Sequence, residues 1–468
     1  MTLRAPRTIL VGFHTELNQG AVRAALEELE GRSSSPPFLG LVSRTNFLGD
    51  RADTFLHDTR GFRDLDWKSS RHWPIPSATL WSKLQPAEAV AMKLMDRTWR
   101  RSRAGRGHES RKRTWLQWAT YAYGFLAHHR VERLLHCNVP HFGFQFVLFQ
   151  VAQAMGIEAR YLMQLQVRDT FIVASSIEDP HAATRERLGD PTPLPPLDER
   201  MQAELQRRVQ RTQPFYMDRK GAPWSQRLHA AQRRLTRGPL RSIPAALAYR
   251  SARRRRGAPP GEGTPFVYLP LHLQPEATTL PLGGVYADQS IVIETLVRAL
   301  PKGWLLVIKE NPKQRFQKRS GNFYRTLAAH DCVRLVGRRT DSFALTVQAQ
   351  AVATVTGTAG WEALCLGRPS LLFGPGFYEA ATGATRIRSV EDARMTLAQI
   401  ERGEGPVPTE GSCLEFLAAL QEVSYEGVCD SLYLRDSELS QQGSMDTCAE
   451  AVIAGLTSPC AGGTDANA

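Results

Sequence analysis

Residues 351–373 read Ala351-Val-Ala-Thr-Val-Thr-Gly-Thr-Ala-Gly-Trp-Glu-Ala-Leu-Cys-Leu-Gly-Arg-Pro-Ser-Leu-Leu-Phe373. An apolar run (351–355), a Gly/Thr turn, a helical stretch (360–366) and a second apolar run (370–373) follow directly on one another. That order is one βαβ step, because two parallel strands need a crossover and a helix is the usual one. Upstream, Phe266 to Leu271 reads as a strand. Asp288 caps a helix with an apolar face of Val292, Ile293, Leu296, Val297 and Leu300, and Trp304 to Ile308 is the next strand after the Pro301-Lys-Gly303 turn. A helix at 323–329, a strand at 333–336, a helix at 342–348 and, downstream, a helix at 390–400 continue the alternation. Repetition of this kind predicts a doubly wound, Rossmann-like domain over residues 263–400.

The N-terminal half carries the same signal more faintly. Thr8-Ile-Leu-Val-Gly-Phe13 reads as a strand, Ala21 to Leu29 as a helix and Phe38 to Val42 as a second strand, with Ser33-Ser-Ser-Pro-Pro37 as a turn between them. Helices are expected near 86–103, from Trp115 to Leu135 and from Phe144 to Met155, followed by a strand from Ala159 to Val167. The expected fold class is therefore α/β, two Rossmann-like doubly wound domains with a central cleft. Residues 1–175 form the N-terminal α/β domain. Residues 176–262, with Pro191, Pro193, Pro195 and Pro196 in a loop, a polar helix around Leu197 to Gln213 and an Arg-rich helical stretch, read as an insertion and linker. Residues 401–468 read as an acidic helical segment with a frayed end.

Composition narrows the function classes. The chain has 468 residues, 42% apolar and 22% charged, an ordinary globular balance. No uninterrupted apolar run is long enough for a membrane span, since Gln145, Gln150 and Gln153 break the richest stretch, and the Thr8–Phe13 run is too short for a signal-peptide core. A cytoplasmic protein is expected. Seven scattered cysteines with no CxxC pair argue against a disulfide framework and a zinc site, and His128, His129, His136 and His141 lack metal-ligand spacing. No metal or bound cofactor is expected; the Asp64-Leu-Asp66 triplet has the spacing of a metal-chelating DxD but lies outside any recognisable strand end. The net charge is +13, and residues 401–468 hold two arginines against twelve acids, so residues 1–400 carry +23. Basic clusters at Arg97–Arg113 and Arg253–Arg256 suit an anionic membrane surface or a polyanionic glycan; no nucleic-acid partner is expected.

Three loops at strand ends carry the candidate chemistry. Thr354 to Glu362 joins a strand to a helix: Gly357 and Gly360 admit close backbone approach to an anion, Thr356 and Thr358 offer hydroxyls, the helix start offers N–H groups, and Glu362 is placed to accept from ribose hydroxyls. The competing reading is helix capping and close packing. The loop matches neither GxGxxG nor a Walker A motif, which removes dinucleotide and NTP-hydrolysing readings. Lys309-Glu-Asn-Pro-Lys313 offers Lys309 and Lys313 to a phosphate and Glu310 as a proton acceptor, or else forms a polar turn set by Pro312. His272 to Gly284 offers Gln274 and Glu276, which otherwise serve loop backbone groups.

Taken with Leu269-Pro-Leu-His-Leu-Gln-Pro-Glu276, Ala287-Asp-Gln289, Val307-Ile-Lys-Glu-Asn-Pro312 and Thr356-Gly-Thr-Ala-Gly-Trp-Glu-Ala363, the sequence resembles the bacterial capsule polysaccharide biosynthesis and export family. The resemblance is clearest over about 264–390. It implies a GT-B-like fold and, in the β-Kdo transferase branch, a CMP-Kdo donor flanked by Gln-Pro and His-Pro pairs. Here the first pair is Gln274-Pro275 and the second reads Asn311-Pro312, an amide where the family carries an imidazole. The resemblance also implies donor contacts from Thr356, Gly357, Thr358, Gly360 and Glu362, and an acid or nucleophile from the N-terminal domain. Asp169, just past the 159–167 strand, is the candidate, against a reading as a loop-capping aspartate.

These readings converge on a metal-independent glycosyltransferase that takes a nucleotide-sugar and a lipid-linked or growing polysaccharide acceptor, cytoplasmic and peripheral at the inner face of the cytoplasmic membrane. Asp169 and Glu310 are its candidate catalytic residues. Two alternatives stay open: a non-catalytic polysaccharide-handling or export protein on the same fold, favoured by Asn311, and an enzyme of the nucleotide-sugar 2-epimerase kind.

Overall fold

The structure is a computed structural model, and it describes residues 6–32, 38–57, 70–98, 107–210, 243–274, 279–314, 316 and 319–457. The Ser33–Pro37 turn, Asp64 and Asp66, the arginines from 100 to 106, and Pro275 and Glu276 lie outside the described residues.

The chain divides into two compact units, Met1–Pro180 with Ser424–Ala468, and His181–Val423. The first unit opens with β1 (Thr8–Val11), α1 (Glu16–Arg32), β2 (Leu39–Ser43), β3 (Thr54–His57), α2 (Ala78–Thr98), α3 (His108–His128), β4 (Arg133–His136), α4 (Gly143–Ala154), β5 (Glu158–Gln164) and β6 (Thr170–Ala174). The second unit holds α5 (Ala182–Gly189), α6 (Glu199–Val209), α7 (Ile243–Arg256), β7 (Phe266–Pro270), α8 (Gln289–Ala299), β8 (Leu305–Lys309), α9 (Gly321–Ala329) and β9 (Val333–Val336). It continues through α10 (Ser342–Gln348), β10 (Ala351–Thr354), α11 (Ala359–Cys365), β11 (Ser370–Leu372), β12 (Ala384–Arg386), α12 (Val390–Arg402) and α13 (Glu410–Glu422). The chain then returns to the first unit with β13 (Tyr425–Glu426) and α14 (Gln441–Thr457).

Both sheets are doubly wound. The second runs β9-β8-β7-β10-β11-β12, with every neighbouring pair parallel. Its order reverses between β7 and β10, the switch point where ligands of open α/β sheets bind beyond the carboxyl ends of the strands. The first runs β3-β2-β1-β4-β5-β6-β13, parallel from β3 to β5 and antiparallel at β6 and β13. Strands covered on both faces must be apolar throughout. Val267 and Leu269, Leu306 and Ile308, Val333 and Leu335, and Ala351 and Ala353 meet this demand, packing with Val292, Leu296, Leu327 and Leu397.

Two differences from the sequence reading have local causes. The helix expected from Trp115 to Leu135 ends at His128, because Arg130 takes φ 50 and turns the chain into β4, whose four residues are all buried. An arginine in the left-handed region sends no sequence signal of a stop, unlike glycine or proline. The acidic 401–468 stretch also divides: residues to Val423 pack in the second unit and those from Ser424 in the first. Among the described residues no helix is long and apolar enough to cross a membrane, and no group of His, Cys, Asp or Glu is assembled to hold a metal ion.

Candidate functional site

Beyond the carboxyl ends of β7 and β10 the second unit gathers a set of polar side chains around His272. The β7–β8 and β7–β10 pairings fix the ends of three neighbouring strands side by side, so the loops that follow them must meet. His272 Nε2 lies 2.9 Å from Thr354 Oγ1 and accepts from the N–H groups of Val355 and Thr356 at 3.3 and 3.4 Å. Thr354 Oγ1 itself accepts from Gly357 N at 3.1 Å, so its proton points to the imidazole. This arrangement needs a neutral ring with the proton on Nδ1, and burial, helped by the nearby Arg319 cation, lowers the His272 pKa to about 4. The imidazole thus pins the turn that carries Thr356, Gly357 and Thr358. Sequence reading passed His272 over; its position as the second residue beyond β7, beside a Gly/Thr loop at the switch point, was the available signal.

Glycines shape the turn. A Cβ on Gly357 would lie 2.8 Å from Thr354 Oγ1 and 3.0 Å from His272 Cε1. The Tyr378 hydroxyl donates to the Gly357 carbonyl at 2.5 Å and occupies the space that any side chain on Gly360 would need. Glu362 sits in the first turn of α11, where Thr358 Oγ1 donates to its Oε1 at 3.3 Å and Arg208 Nη1 approaches the same oxygen at 3.4 Å. Desolvation raises the Glu362 pKa, Glu204 adds to the rise, and Arg208 and Thr358 oppose it. Since α11 is two turns long, its dipole is short, and the loop with its side chains carries any anion preference.

The two other loops are tied to this one. Gln314 accepts from Gln274 N at 2.8 Å and donates back to the Gln274 carbonyl at 3.3 Å, and its own N–H bonds to the Asn311 carbonyl. The Gln274 amide also donates to the Ala287 carbonyl. Asn311 Oδ1 accepts from Lys313 N at 2.9 Å, an Asx turn that engages its acceptor oxygen, while Pro312 and Lys313 are exposed. Lys309 donates to Ser342 Oγ, and burial lowers its pKa.

The two candidate proton acceptors hold structural bonds. Glu310 is fully buried: its carboxylate pairs with Arg319 Nε at 2.9 Å, accepts from the Tyr324 hydroxyl at 2.6 Å and accepts from Asn311 N. Arg319 in turn donates to the His272 carbonyl at 2.9 Å, so Glu310 braces the His272 loop from behind. Asp169 lies in the other unit at φ 49, buried, with Oδ2 accepting from Glu438 N at 3.1 Å and its carbonyl accepting from Gly427 N. The structure therefore brings Gln274, Lys309, Asn311, Thr356, Gly357, Thr358, Gly360 and Glu362 to the strand ends of one sheet, and places Asp169 at the fold of the returning C-terminal segment.

Comparison with known proteins follows the same segment. Residues 278–402 match the family model described as capsule polysaccharide biosynthesis protein, which shows the resemblance read from the sequence over that stretch. Among solved structures, the KpsC β-Kdo 2,7 transferase of Thermosulfurimonas dismutans is similar at 11% identity over 77% of this chain and 96% of that one, with a TM-score of 0.30. The β-Kdo 2,4 transferase of the same organism's KpsC is similar at 15% identity over 62% and 79%, with a TM-score of 0.28. The UDP-GlcNAc 2-epimerase of Neisseria meningitidis, bound to UDP-GlcNAc, is similar at 11% identity over 96% and 99%, with a TM-score of 0.25. No curated protein matches the sequence.

Proposed function

We propose that this protein is a glycosyltransferase of surface-polysaccharide assembly, binding a nucleotide-sugar at the switch point of its second unit and passing the sugar to a lipid-linked or growing glycan. The observation that carries the reading is the Thr354–Glu362 loop, pinned by His272 and inside the segment matched to the capsule family. In this reading Thr356, Gly357 and Thr358 receive the donor phosphates, Gly360 keeps the turn tight, and Glu362 accepts from the ribose. Gln274, Lys309 and Asn311 flank the nucleotide, with Pro312 at its rim. Glu310 acts on the site through Arg319 and His272, and Asp169 remains the candidate for activating the acceptor hydroxyl or attacking the donor. The enzyme works at the inner face of the cytoplasmic membrane, its basic segments meeting anionic lipid or glycan.

A non-catalytic glycan-handling role is the second reading, favoured by one observation: the Asp169 carboxylate accepts a backbone N–H and that of Glu310 is wholly engaged. One experiment separates the two. Purified protein is titrated with CMP, UDP and GDP, then incubated with CMP-Kdo and UDP- and GDP-sugars plus a lipid-linked oligosaccharide acceptor, with products read by mass spectrometry. A cognate nucleotide at about 100 times its Kd should stabilise the protein by about 2.7 kcal/mol. Transfer that is lost in Glu362→Ala, with folding intact, supports the enzyme. Binding of no nucleotide, with no transfer, sinks the transferase reading and supports the second.

A further inference from the structure

We propose that Arg208, reaching from α6 to the start of α11, is a positioning residue that holds the Glu362 carboxylate ionised and oriented to accept from the ribose diol of a ribonucleotide. The inference rests on the nucleotide-binding reading of the 354–362 loop and deepens it, by assigning the sugar the site selects and by bringing in a segment that reads as a linker in the sequence.

The geometry is specific. Arg208 is almost wholly buried, with 3% of its side chain exposed, and it is shared between two carboxylates: Nε lies 2.6 Å from Glu204 Oε1 and Nη1 lies 3.4 Å from Glu362 Oε1. Glu204 is 1% exposed, whereas Glu362 keeps 31% of its side chain open. A buried guanidinium is already matched by one well-placed carboxylate; its reach to a second, half-open one gives that second acid a fixed partner. Both bonds that Glu362 makes among the described residues fall on Oε1, from Arg208 and from Thr358. Oε2 is then the acceptor for a ligand hydroxyl, and an ionised carboxylate accepts through both oxygens whereas a carboxylic acid turns one of them into a donor.

The surroundings make the charge state a real question. Glu204 faces Glu362 from α6 and Tyr268 approaches it from β7; among the described residues Arg208 is the cation that meets the Glu362 carboxylate, while Glu204 is also paired with Arg207 Nη2 at 3.2 Å. Without Arg208, Glu362 would lose the cation beside it while its desolvation and the facing Glu204, still paired with Arg207, remain, and both of these favour the protonated form of Glu362.

The test uses the whole chain and calorimetric titration with CMP, UDP and GDP and their 2′-deoxy counterparts between pH 6 and 9. The wild-type protein is expected to prefer the ribonucleotide by about tenfold or more, as a hydrogen bond to a charged acceptor supports. Arg208→Met is expected to lose that preference toward the acid end of this range and regain it toward the alkaline end, and Arg208→Lys to keep it. A preference in Arg208→Met that matches wild type at every pH overturns the proposal. If Arg208→Met does not fold by circular dichroism, Glu204→Gln serves instead: it gives Arg208 wholly to Glu362 and should extend the preference to lower pH, and an unmoved profile overturns the proposal. Wild-type protein that binds a nucleotide without ribose preference overturns this inference alone; wild-type protein that binds none overturns the nucleotide site as well.

Discussion

A methyl group on Gly360 would sit 2.1 Å from the Tyr378 hydroxyl and 2.3 Å from Ser370 Oγ, far inside contact distance, and the Tyr378 hydroxyl is held by the Gly357 carbonyl. Gly360→Ala must therefore move the residue that ties down the loop, and we expect it to cost about 1–3 kcal/mol of stability and to weaken nucleotide binding together. Urea denaturation and titration check both; Tyr378→Phe in the same chain should relieve part of the strain without restoring binding, and a fully additive double variant would contradict the account. His272 sets a second expectation, in acid. Its folded-state pKa of about 4 lies below the ordinary 6.5, so between these values the unfolded chain binds a proton that the folded ring refuses. The stability due to the neutral ring is complete above about pH 6.5 and is lost as the pH falls toward 4, by about 3 kcal/mol in all. His272→Gln should be less stable than wild type at pH 7.5 yet lose less on acidification; parallel stability curves from pH 7.5 to 4.5 would refute this role. His136 in the first unit, buried and lowered to about 3, follows the same sign and is common to both proteins, so the difference isolates His272.

At the scale of elements, α6 is the helix whose role the sequence concealed. Its Asp198 cap accepts from Met201 N at 2.7 Å, and Asp198 N donates to Gln421 on α13 at 2.9 Å, so the cap also fastens α6 to a neighbouring helix. Asp198→Ala should cost about 1 kcal/mol, read from the urea midpoint of the second unit, and should blunt the Arg208 effect on binding because the helix start frays. An unchanged midpoint would mean that packing alone holds α6. The sequence showed a helix here, from Leu197 to Gln213, but its polar composition and the prolines before it pointed to a linker, since nothing in one sequence tells that Glu204 and Arg208 are buried against each other. The alternation in the second unit was legible because β7 to β11 are buried on both faces and each is set off by turn residues. Val333–Val336 and Ser342–Gln348 fall where the residues place them. Short or late strands were not: β6 and β13 pair antiparallel at the sheet edge, and β12 is three half-buried residues, too few for a period to register. The site was legible as loops, since Gly357, Gly360 and Glu362 announce a strand-to-helix turn. The state of its acids was not, because Glu310 reads as an available base until Arg319 and Tyr324 are seen to enclose it.

For the molecule as a whole, the unexpected feature is that the first unit is completed by the end of the chain. Strand β13 adds to β6 with Tyr425 opposite Phe171, and their rings stack at 5.2 Å. Helix α14 lays Cys448, Ala449, Ala451, Val452 and Leu456 into the core that Leu10, Val22, Leu26, Leu41 and Leu135 supply from the other end of the sequence. The closeness is set by small residues: a Cβ on Gly20 would meet Met445 Sδ, and one on Gly455 would lie 3.2 Å from Leu135. Arg133, buried in β4, divides its guanidinium between Glu158 at 2.7 Å and the Leu456 carbonyl near the end of α14. Removing residues 424–468 would thus uncover an apolar face, strip β6 of its outer neighbour and leave Arg133 with one partner lost in a buried setting. We expect the truncated protein to bind the hydrophobic dye ANS, to aggregate, and to lose the near-UV signal of the first unit, while limited proteolysis still yields the second unit as a resistant fragment beginning near His181. Charge gives the same truncation a second consequence. Residues 424–468 hold seven acids against one arginine, a net −6, so a chain ending at Val423 rises from +13 to +19, and its aggregates should form more readily with added polyanion than in salt alone. A truncated chain that stays monomeric, does not bind ANS and keeps its near-UV spectrum would show that β1 to β6 fold without the C-terminal return.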